Sequence, residues 1–192
     1  MKMRNFFKES AIQATARRLY TEAVDQARQP EFYLHRSVPD TADGRFDMIV
    51  LHVVLIMRRL KRDHAEAAET AQALFDLMFA DMDQNLREMG VGDIGIGKRV
   101  KAMAKAFYGR LAAYDLALSG ADDAALNAAL RRNLYRKCAP ADGDVAAMAS
   151  YVRSQAAKLD ALPLAVLLDG GFSFTCASTL TEERSYDSNP SA

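Results

Sequence analysis

The stretch from Leu74 to Leu118 constrains the fold most, because it carries two successive apolar stripes at helical spacing with glycines between them. Leu74, Met78, Met82, Leu86 and Met89 fall on one face of a first helix. Val100, Met103, Phe107, Leu111, Tyr114 and Leu118 fall on one face of a second. Side chains three and four positions apart share a helix face, so each stripe demands a surface to pack on. Gly90, Gly92, Gly95 and Gly97 form the expected connection, where glycine permits a sharp bend. The two helices are therefore expected to fold back as an antiparallel hairpin.

Charge is unevenly divided between the two arms. The first arm holds Asp63, Glu66, Glu69, Asp76, Asp81, Asp83 and Glu88 against Arg87 alone. From Asp93 to Leu111 the second holds Lys98, Arg99, Lys101, Lys105 and Arg110 against Asp93 alone. Pairing between the arms is the simplest expectation. Lys98, Arg99 and Lys101 are read as crowding the first turn of the second helix, where the macrodipole disfavours cations by about 0.3–1 kcal/mol each. That placement calls for a negative neighbour, either the acidic arm or an outside partner.

The rest of the chain reads as further helices. Glu9 to Arg28 presents Leu19, Ala23 and Ala27 on one face, with Ile12 and Ala16 behind, and Pro30 ends it. Glu31 to Asp43 is expected to be a loop anchored by Phe32 and Tyr33. Gly44 to Arg62, with Asp43 as its cap, is apolar nearly all round, so it belongs at the centre of a bundle. Asp63 and Glu66 resemble a capping box for the following helix. Later helices run from Asp122 or Asp123 to Lys137 and from Asp144 to about Lys158, before a short apolar LAVLL segment. Phe172, Phe174 and Cys176 alternate like an extended stretch. The expected fold is an all-α, single-domain helical bundle of about six to seven helices around the hairpin. Residues 1–176 form the domain and 177–192 a flexible polar tail.

Composition excludes several classes. Half of the 192 residues are apolar, about a quarter are charged, and the formal net charge is zero. That is an ordinary globular balance, unlike that of a protein built mainly to hold nucleic acid. The strongest apolar run, Met48–Met57, is about half the length a bilayer crossing needs. No signal peptide is recognised. Cys138 and Cys176 have no metal or disulfide spacing, which suits a reducing compartment. The expected location is the cytoplasm, or peripheral at the inner membrane.

Three motifs in the hairpin turn fail on context. Gly90 to Gly95 matches G-x-G-x-x-G, but a helix rather than a strand precedes it. Gly92 to Lys98 matches G-x-x-x-x-G-K, with Arg99 where a magnesium-binding hydroxyl belongs. Asp81, Asp83 and Asn85 open like a calcium loop, yet Leu86 and Gly92 replace its obligatory Gly and Glu. A di-iron bundle would need Glu three residues before a histidine. Phe32, Ile49 and Lys61 stand there instead. His52, in the apolar helix, reads as a hydrogen-bonded core histidine. No catalytic residue, metal site or cofactor is expected.

Methionine is a softer signal. Met78, Met82, Met89 and Met103 line the hairpin, and Phe75 and Phe79 add a second apolar edge. Thioether side chains deform to fit varied apolar partners. Phe75, Met78, Phe79, Met82 and Met89 are the candidate client-binding residues; Lys98, Arg99, Lys101 and Lys105 are the candidate basic partner patch.

Three stretches carry a resemblance: ARRLYTEAVDQAR, FYLHRSVPDTADGRFDMIVLH and the hairpin itself, with LREMGVGD and FYGR as its most specific parts. Over about Ala16 to Leu168 the chain resembles the ubiquinol–cytochrome c chaperone family. The resemblance implies a helical assembly factor with no catalytic motif. Such a factor receives newly made cytochrome b for the bc1 complex, acts with a second small factor, and associates with the ribosome. With no organelle-targeting extension, the chain resembles a bacterial member. The resulting expectation is a chaperone that shields apolar membrane segments. One alternative is a ribosomal or RNA contact through Lys98, Arg99, Lys101 and Lys105; the other is a metal- or nucleotide-dependent enzyme.

Overall fold

The computed structural model describes residues 2–88, 90, 92–169 and 171–177. Eight helices are present among them, with no strand. They are α1 (Lys2–Ala27), α2 (Glu31–His35), α3 (Ala42–Arg62), α4 (His64–Glu88), α5 (Asp93–Ser119), α6 (Asp123–Asn133), α7 (Asp142–Ala161) and α8 (Leu164–Leu168). The all-α bundle expected from periodicity is the fold. The tail beyond residue 177 lies outside the described residues.

α3 is the axis of the bundle. Val50, Leu51, Val53, Val54, Leu55 and Ile56 are all buried, so every side of the helix is covered. α1, α4, α5 and α7 pack around it. Its start corrects the sequence reading. Thr41, in extended conformation, is the cap, and its Oγ1 accepts from the Gly44 N–H at 3.1 Å. Asp43, the expected cap, lies inside the first turn and pairs with Lys137. Asp63 is likewise no capping box: its carboxylate takes Arg59, and its carbonyl accepts from Ala67 N–H at 3.0 Å.

The expected loop over Glu31–Asp43 contains α2. Pro30 has φ −63°, already helical, so it starts this short helix at little cost. Phe32 is fully buried, with its ring 5.2 Å from Tyr151 and 5.8 Å from His52. A short apolar segment after a helix-ending proline gives no periodic signal, so nothing in the sequence distinguishes this helix from a loop.

α4 and α5 form the antiparallel hairpin. Phe75 meets Phe107 at 5.5 Å and Tyr108 at 5.4 Å, pairing positions equally distant in sequence from the turn. Gly90 has φ +78°, a conformation that favours glycine. α5 begins earlier than expected: Gly95 N–H donates to Gly92 C=O at 2.8 Å, so Gly95 and Gly97 are helical. Ile96, in this first turn, is buried. Lys98, Arg99 and Lys101 therefore lie beyond the first turn, where the dipole penalty has faded.

Residues 171–177 form an extended strap after α8. Phe172 and Phe174 are buried on either side of exposed Ser173, as the alternation implied, but Cys176 is exposed and Ala177 is buried in its place. Side chains from α1 and α7 satisfy the strap's backbone. Glu22 accepts from Phe174 N–H at 2.7 Å, Gln155 from Thr175 N–H at 2.9 Å, and Gln29 from Ala177 N–H at 2.6 Å. Gln26 donates to the Thr175 carbonyl at 2.8 Å. The strap thus satisfies its backbone with carboxylate and amide side chains where a strand would use a ladder.

Candidate client groove

A groove of about 720 Å³ opens where α1, α2, α3, α4 and α5 converge. Its apolar lining is Val24, Phe46, Ile49, Met82, Leu86 and Met103, with Asp43, Asp81 and Asn85 as its acidic and amide members. α5 gives it a smooth edge through Ala102 and Ala106. Arginines stand around it: Arg28, Arg45, Arg99, Arg110 and Arg136. A second depression of about 680 Å³ along α1 has only Leu19 and Phe172 as large apolar lining, so the first is the better apolar receptor.

The arginines are held in two different ways. Asp47, almost fully buried on α3, accepts from Arg110 and Arg136 at 2.7 Å each. Burial raises the Asp47 pKa, and the two guanidiniums oppose that rise. The carboxylate thereby fixes one wall of the groove by tying α5 and Arg136 to α3. Arg110 also lies 5.8 Å from the centroid of the Phe46 ring. Arg45 pairs with Asp40 at 2.6 Å and sits 5.0 Å above the Tyr33 ring. The Tyr33 hydroxyl donates to the Ala27 carbonyl at 2.5 Å, and burial pushes its pKa up to about 12. On the far wall Tyr20 donates to Asp81 at 2.7 Å, which consumes that acid. Arg28 and Arg99 have no acidic partner within salt-bridge distance among the described residues.

The candidate client-binding residues divide by position. Met82 lines the groove. Met78 is fully buried and contributes no surface, and Phe79 is nearly so. Phe75 is half-buried; its ring stacks on Tyr108, meets Phe107 edge-on across the hairpin and touches Phe79 on its own arm. None of these three lines the groove. Met89 lies outside the described residues. Of the basic patch, Arg99 borders the groove while Lys98, Lys101 and Lys105 are exposed elsewhere on α5.

Among the described residues, no ion pair joins an acid of α4 to Lys98, Arg99, Lys101, Lys105 or Arg110 of α5. Asp83 takes Arg87, Asp76 takes Gln72 and Glu88 takes Gln84, each one turn away on α4 itself. Neighbours at i and i+4 on one helix are closer partners than residues across the hairpin. Sequence reading missed Asp47 and its two arginines. A lone carboxylate inside an apolar helix was the available signal, since acids are rarely buried unpaired. Among the described residues, no group of three or more His, Cys, Asp or Glu could hold a metal ion. No described helix is long and apolar enough to cross a membrane.

Comparison with known proteins agrees with this architecture. The family model described as ubiquinol–cytochrome C chaperone matches residues 34–174, which covers α3 to the strap. The chain is 30% identical over 151 residues to the ubiquinol-cytochrome-c reductase complex assembly factor 1 of Xenopus laevis, covering 79% of this chain and 75% of that one. It is 29% identical to the Mus musculus protein of that name, spanning 79% of this chain and about half (51%) of the mouse protein's length. A crystal structure titled as the Cbp3 homolog from Brucella abortus superposes with a TM-score of 0.82 at 36% identity, over 93% of this chain and 98% of the other. With the matching model spanning most of its helices, the chain belongs to the ubiquinol–cytochrome c chaperone family.

Proposed function

We propose that this protein is an assembly factor for ubiquinol–cytochrome c reductase, and that its groove holds an apolar segment of a newly made membrane subunit, cytochrome b. The observation that carries the reading is the groove's composition: deformable Met82 and Met103 beside Phe46, Ile49 and Leu86, with arginines at the edge. Methionines fit varied apolar surfaces, and each client side chain covered contributes about 1.5–3 kcal/mol. The arginines suit a segment whose ends carry acids or backbone carbonyls. The names of the relatives support the process, and the apolar lining supports a client of membrane origin. Binding and release suffice for this role, so no bond of the client need be made or broken.

The test uses cells from which the gene has been deleted. Assembled reductase is expected to fall and to be restored by the wild-type chain. Met103→Asp, which places a charge in the groove at a half-buried position, is expected to accumulate as folded protein without restoring it. Fully working reductase in the deleted strain refutes the proposal.

A further inference from the structure

α5 presents three faces. Phe107 and Tyr114 face the core, and Met103 and Arg110 face the groove. The third face carries Lys98, Lys101, Lys105, Tyr108, Ala112 and Leu116, all exposed. At about 100° per residue these six fall within about 80° of arc, in a row about 27 Å long. The row is cationic at its N-terminal end and apolar at the other. Leu116 is 78% exposed and Tyr108 54%, both among the few large apolar side chains left open to water.

Among the described residues, the three lysines are left without a counter-charge. None has an acidic partner within salt-bridge distance among the described residues. Asp76, Asp83 and Glu88 are engaged within α4, Asp81 by Tyr20 of α1, and Asp115 of α5 by Arg58 and Lys61. In a chain of zero formal net charge, this is a local arrangement and not a bulk effect.

We propose that this outer face of α5 docks the protein on an anionic phospholipid surface. Lys98, Lys101 and Lys105 meet headgroup phosphates, with their stems lying along the helix. Tyr108 sits at the interface, and Leu116 enters the acyl region. An aromatic and a leucine beside a lysine row is the pattern of a helix lying on a bilayer. Nucleic acid would make use of the lysines but has no use for Leu116. One face of Tyr108 is in addition occupied by Phe75, at 5.4 Å and 29°. The groove opens on a different face of α5 and stays free in this orientation. The proposal does not depend on which subunit the groove holds.

Flotation of the full chain with vesicles tests it. Vesicles of phosphatidylcholine with a third phosphatidylglycerol are expected to carry the protein at low salt and to release it as salt rises. Pure phosphatidylcholine is expected to leave it behind. The triple variant Lys98→Ala, Lys101→Ala, Lys105→Ala should weaken partitioning roughly a hundredfold. Leu116→Ser should weaken it roughly tenfold with the salt dependence kept. All four positions are exposed, and unchanged melting verifies the fold. Equal flotation on both vesicle types, flotation that survives the triple substitution, or no flotation at low salt would each overturn the proposal. So would a triple variant that loses binding to ribosomal RNA while keeping its vesicles.

Discussion

The Tyr151 hydroxyl donates to Nε2 of His52 at 2.9 Å in the middle of the bundle, joining α7 to the central helix. The donor sense follows from the other ring nitrogen. Nδ1 lies 2.8 Å from the Met48 carbonyl, which can only accept, so Nδ1 carries the proton and Nε2 must accept. Tyr151 in turn accepts from Gln26 at 2.7 Å, and Gln26 holds the strap. A chain of neutral hydrogen bonds thus connects α3, α7, α1 and the C-terminal strap.

Acid is expected to break this chain first. Burial lowers the His52 pKa to about 4, with the hydrogen bond to Met48 opposing the shift. The folded value lies below the unfolded one, 6.5, so the neutral histidine's contribution is complete above pH 6.5. It is lost as pH falls from there toward 4, since the unfolded chain takes up a proton that the native chain refuses. The loss amounts to roughly 3 kcal/mol. Urea denaturation from pH 7 to pH 4 is expected to show this slope in the wild type and to lose most of it in His52→Asn. Asp43, whose pKa is lowered by its bond from Lys137, acts in a separate window below the usual carboxylate range.

Asp47 ties the groove wall to α3, and its removal is expected to be costly. Asp47→Asn leaves Arg110 and Arg136 without their shared carboxylate; Arg110 is nearly buried. Breaking such a pair costs on the order of 3 kcal/mol. Urea titration of the variant measures it. Combining Asp47→Asn with Arg110→Met should recover part of that loss, because the stranded charge is removed as well.

Gly44 is fixed by close approach rather than by its dihedral angles. A Cβ there would stand 2.0 Å from the Pro39 carbonyl oxygen, a backbone atom with little room to move. Gly44→Ala is expected to cost about 1–3 kcal/mol through strain at the start of α3. Gly97→Ala, with nothing within 4 Å, should instead stabilise α5 by up to about 1 kcal/mol. Thermal melting of the two variants in opposite directions is the expected outcome.

The helices were legible where apolar spacing ran long, and the groove was not. Leu74 to Leu118 announced both arms of the hairpin, and the Val50–Ile56 run announced the buried centre. Boundaries failed where two residues competed for one role. Thr41 and Asp43 are both good caps, and only the position of the Gly44 N–H decides between them. Gly95 and Gly97 look like turn residues, yet both are helical and Ile96 between them is buried. Met78 and Met82 share one stripe, yet the first is core and the second lines the groove, since periodicity gives a face but not its neighbour. Arg45, Arg110 and Arg136 come from three separate segments and converge only through Asp40 and Asp47.

The central claim is that the groove, and not some other surface, receives the client. A photo-reactive benzoylphenylalanine at Ala102 or Ala106, exposed at the groove edge, measures this directly in cells. The account predicts crosslinks to newly made cytochrome b from both positions and none from Ala146 or Ala157, exposed on α7. Crosslinks of equal yield from α7, or none from Ala102 and Ala106 while cytochrome b is being made, would contradict it.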